Sequence, residues 1–157
     1  MANNNPFGWT TLEQAKKLVE IGVDPITADM MYVRKVTPFG CSNYTVECTS
    51  YKYANLVPDD EIESNPCWSL GALENMLPTD ISTGDEPQNK YELRYRKHKI
   101  TENHCVYQLA YGNDKGSSME WHDMINTAER DTMIEAVCDM LFWLLANNHI
   151  KNNNNGK

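Results

Sequence analysis

The sequence predicts a single domain of α+β class, in which an antiparallel sheet of about four strands packs against a long C-terminal helix and an N-terminal helix. Three observations predict it. Apolar residues recur at helical spacing near both ends of the chain, runs of alternating apolar and polar residues lie between them, and no regular alternation of strand and helix suggests a parallel sheet. With 157 residues, 41% of them hydrophobic and 10% aromatic, the chain is long enough for one apolar core and needs no metal to staple it.

The first helix is set by its ends. Thr10 or Thr11 caps it, with Glu13 or Gln14 three residues on as the return half of a capping box. Leu12, Ala15, Leu18 and Val19 then share a face, Gly22 supplies the left-handed position after the last turn, and Pro25 prevents continuation. Ile26 to Met31 opens with a helical turn. Tyr32 to Val36 is β-prone, Pro38-Phe39-Gly40 punctuates, and Tyr44, Val46 and Cys48 alternate with Thr45, Glu47 and Thr49. The two segments read as an antiparallel pair.

Pro58 and the acidic residues Asp59, Asp60, Glu61 and Glu63 mark a solvated loop. Asn65-Pro66 is expected to start a second, short helix with Trp68, Leu70, Leu73, Met76 and Leu77 on its apolar side. Thr79 to Asn89 reads as a mobile loop. Tyr91 to Lys99 and Cys105 to Tyr111 then form a hairpin around Thr101 to His104, and Asn113 to Ser118 is a further polar loop. The last helix is expected to be capped by Asn126 with Glu129 three residues on, and Met133, Ile134, Val137, Leu141, Leu144 and Leu145 make its stripe. Phe142 and Trp143 fall off that stripe, to be covered by the sheet or by a partner. Residues 1–9 are expected to be a flexible tail and the Asn-rich residues 151–157 a disordered one, around a single folded domain of 10–150.

A net charge of −8 argues against nucleic acid and anionic lipid as partners, because both require a positive footprint. The five cysteines, Cys41, Cys48, Cys67, Cys105 and Cys138, are odd in number and scattered. They read as reduced thiols, and with no export signal at the start they place the protein in the cytoplasm. The most apolar stretch, Met140 to Ala146, is far shorter than the roughly 20 residues that cross a bilayer.

Chemistry has few footholds. Glu120, His122 and Asp123 form the densest titratable cluster and suit general acid–base work, while the competing reading has them in a polar loop before the helix. No closely paired ligands suit a metal, and no glycine-rich loop suits a phosphate, so neither a metal nor a cofactor is expected. Cys48, Cys105 and Cys138 fall on or beside apolar faces and read as core. Lys90, Arg94, Arg96, Lys97, His98 and Lys99, interleaved with Tyr91 and Tyr95, are the one basic concentration. They suit either a polyanion or the protection of a sheet edge. Trp121, Phe142 and Trp143 are candidate anchors for a partner, against the ordinary reading of aromatic core.

Gly22-Val23-Asp24-Pro25, Thr27-Ala28-Asp29-Met30, Cys67-Trp68-Ser69-Leu70 with Leu73 and Leu77-Pro78, and Glu135-Ala136-Val137 with Trp143-Leu144-Leu145 resemble small uncharacterised proteins of phages and prophages from Bacteroidales-type gut bacteria. The resemblance implies a phage-encoded accessory protein made in the host cytoplasm. It brings no activity, so no catalytic residue is carried over. The expected function is therefore that of a non-catalytic interaction protein, bound to another protein or to itself as a homodimer through the last helix. Two alternatives stand beside it. One is an acidic inhibitor of a host defence or nucleic-acid enzyme, presenting Asp59, Asp60, Glu61, Glu63, Asp80, Asp85 and Glu86. The other is a small hydrolase using His122 with Glu120 or Asp123.

Overall fold

The computed structural model describes residues 8–48, 62–83, 90–102, 104–113 and 124–150. These form an α+β fold with two antiparallel sheets of four strands and three helices. The chain divides between Glu74 and Asn75 into two compact units, each with its own sheet. The strands expected to share one sheet over residues 10–150 are thus distributed over two.

In the first unit, helix α1 (Leu12–Glu20) has Thr11 as its cap. The Thr11 hydroxyl accepts the Gln14 N–H at 3.2 Å, and the Gln14 side chain accepts the Thr11 N–H at 2.8 Å. At the other end the N–H groups of Gly22 and Val23 reach Val19 and Leu18 O, with Gly22 at φ 98°. This is the paired closure that glycine permits. Asp24 then caps a 3-10 turn over Pro25–Thr27, in place of the helical turn from Ile26.

Strand β1 (Met30–Thr37) turns through Pro38-Phe39 into β2 (Gly40–Cys41) and then pairs with β3 (Thr45–Glu47). Val33 faces Thr45 while the Ser42 N–H bonds Lys35 O, so Asn43 and Tyr44 together oppose Arg34. That extra residue is a bulge, and it aims Tyr44 back at β1. Strand β4 (Ile62–Cys67) pairs with β1 from Met30↔Cys67 to Lys35↔Ile62.

Asn65 and Pro66 therefore lie in a strand and do not start a helix. β1 is the only neighbour of β4 among the described residues, and on such an edge the missing proline N–H costs no ladder bond when it points outward. The helix begins later, as α2 (Leu70–Glu74), with Ser69 as its cap. Ala15, Leu18, Met30, Cys67, Trp68 and Leu73 are buried in this unit, along with Thr10.

The second unit adds two strands that the sequence does not announce. Asp80–Ser82, inside the expected mobile loop, is β5, and Met124–Arg130 is β8. With β6 (Lys90–Thr101) and β7 (His104–Gly112) they make an antiparallel sheet in the order β5-β6-β7-β8. Asn126 and Glu129 are thus strand residues opposite Tyr111 and Gln108. Helix α3 (Met133–Ala146) is capped by Thr132, whose hydroxyl accepts the Glu135 N–H and donates to the Glu135 carboxylate.

The expected stripe is buried at Ile134, Val137, Leu141 and Leu144, and half-buried at Met133 and Leu145. Ala136, Cys138 and Met140 are buried too, so the covered band is wider than the stripe. Beyond α3, the His149 N–H bonds Leu144 O and Asn148 sits at φ 57°. The closure repeats that of α1 with asparagine in the glycine position.

Candidate functional site

The surface residues with most built-in geometry lie at the end of the first unit's sheet. At the β1–β2 turn, the Thr37 hydroxyl donates to Gly40 O at 2.9 Å and accepts the Phe39 N–H at 3.3 Å. Pro38 fixes its own φ, and Gly40 takes φ 136°, a value that residues with a Cβ avoid. The turn therefore holds one shape. On it Phe39 is fully exposed, at 100%. Ile62, opposite Lys35 at the same end of the sheet, is 42% exposed.

Further along this sheet, Arg34 and Glu63 face each other across β1 and β4. The Arg34 guanidinium donates to Glu63 through Nε at 2.7 Å, and lies 4.6 Å from the centroid of the Tyr44 ring. The Tyr44 hydroxyl donates to the other Glu63 oxygen, and Asn65 Nδ2 approaches both at 3.4 Å. Hydrogen bonds from Tyr44, then from Arg34, hold the Glu63 carboxyl below its ordinary range. Desolvation and the bond to Glu63 push the Tyr44 phenol up. Each charge is thus answered within the group, which makes it a clamp between β1, β4 and the bulge just before β3. Glu63, expected among loop carboxylates presented to a basic site, is spent here on Arg34.

The two sequence motifs centred on Asp29 and Trp68 meet each other. Asp29 accepts the Ser69 N–H at 2.8 Å and the Ser69 hydroxyl at 2.5 Å, and so braces the cap of α2. Trp68 Nε1 donates to the Thr27 hydroxyl at 2.9 Å. Buried Thr10 accepts the Trp68 N–H at 3.1 Å, while the Tyr32 hydroxyl donates to Thr10 O at 2.6 Å. Burial pushes the Tyr32 phenol up to about 12 and the Cys67 thiol up to about 11, so both stay protonated at neutral pH. These residues hold the fold of their unit together.

In the second unit the basic residues of β6 line a long hairpin with β7. Lys90 pairs with Asp80 at 3.3 Å, His98 Nε2 and Gln108 lie 3.0 Å apart, and the Lys97 ammonium lies 5.1 Å from the centroid of Tyr107. Trp143 is half-buried, stacked on Tyr111 at 6.5 Å and against His149 at 4.9 Å; Phe142 is also half-buried. The indole is thus engaged inside its own unit. Tyr111 itself is buried, and its hydroxyl donates to Pro78 O at 2.7 Å.

Of the remaining candidates, Asp59, Asp60, Glu61, Asp85, Glu86, Glu120, Trp121, His122 and Asp123 lie outside the described residues. Cys48 is exposed and not core, because β3 ends at Glu47 and the thiol lies past the paired residues; Cys105 is half-buried and Cys138 buried. Among the described residues no three His, Cys, Asp or Glu side chains converge as metal ligands would, and no helix is long and apolar enough to cross a membrane. No family model, curated protein or solved structure matches the chain.

Proposed function

We propose that this is a non-catalytic interaction protein, encoded by a phage or prophage and acting in the host cytoplasm, and that the β1–β2 hairpin is its contact element. Phe39 carries the reading. A phenylalanine wholly in water contributes nothing to its own core, and it is held on a turn of fixed shape. Burying such a ring removes ~150–250 Å² from water, and a preorganised turn loses little entropy on docking. Aromatic side chains are enriched in the buried centres of interfaces for that reason. The phage setting rests on the motif resemblance, and the site of action on the reduced thiols.

The test is affinity capture from host cells with the wild-type chain and with Phe39→Ser. The reading predicts a protein retained by the wild type and lost by the variant, at equal amounts of folded bait. Identical captures by both would contradict it. Sedimentation of the two purified proteins separates the remaining case: a wild-type dimer that Phe39→Ser dissociates makes the partner a second copy.

A further inference from the structure

We draw no further inference here: the strongest candidate, the exposed end of the first unit's sheet where Ile62 and Lys35 face each other beside the β1–β2 turn, belongs to the contact element already described, and nothing in the structure shows what covers it.

Discussion

Glu63 is drawn into its ionised form first by the Tyr44 hydroxyl and then by Arg34. A carboxyl whose pKa is lower in the folded than in the unfolded chain adds stability that is complete above its ordinary value of about 4.3. That stability is lost as the pH falls through the lowered folded value. Wild type should therefore unfold at a higher temperature than Glu63→Gln at pH 7, and the gap should close as the medium is made more acid than about pH 4. Thermal melts across that range read it directly. Thr10 gives a prediction with no pH dependence. Its buried hydroxyl accepts the Trp68 N–H, and Thr10→Val keeps the shape while removing the acceptor. The orphaned donor should cost about 1–3 kcal/mol in urea unfolding.

Among the helices and strands, those whose signals are local could be read from the sequence. α1 carries its cap, its apolar face and its glycine closure within fourteen residues, Thr11 to Asp24, and each signal points the same way. The end of α3 uses the same closure with Asn148 at φ 57°. Glycine adopts that conformation without the Cβ penalty, so Asn148→Gly should raise stability by about 0.5 kcal/mol, measurable as a shifted urea midpoint. β8 is not announced by its sequence, because Asn126-x-x-Glu129 has the spacing of a capping box, as Thr132-x-x-Glu135 does six residues later. Only the pairing with β7 shows which of the two begins the helix. Asn65-Pro66 misleads in the same way, since proline suits both the first turn of a helix and an edge strand.

For the molecule as a whole, the number of sheets was not legible, because alternation marks a strand without naming its neighbour. Arg34, Tyr44 and Glu63 converge through register and a bulge, and no spacing along the chain announces that. The basic strand is visible in the sequence as a charge pattern, whereas its place between β5 and β7 follows from register alone. The motifs around Asp29 and Trp68 are joined by hydrogen bonds to each other, whereas Phe39 stands apart from both and touches solvent alone. That division of labour, scaffold in the motifs and contact at the hairpin tip, is tested most directly by urea unfolding of Phe39→Ser beside the wild type. Coincident curves, with midpoints differing by less than about 0.5 kcal/mol in stability, are expected of a ring that packs against nothing. A loss of about 2 kcal/mol or more would show that Phe39 belongs to a core, and would contradict its role as the exposed anchor.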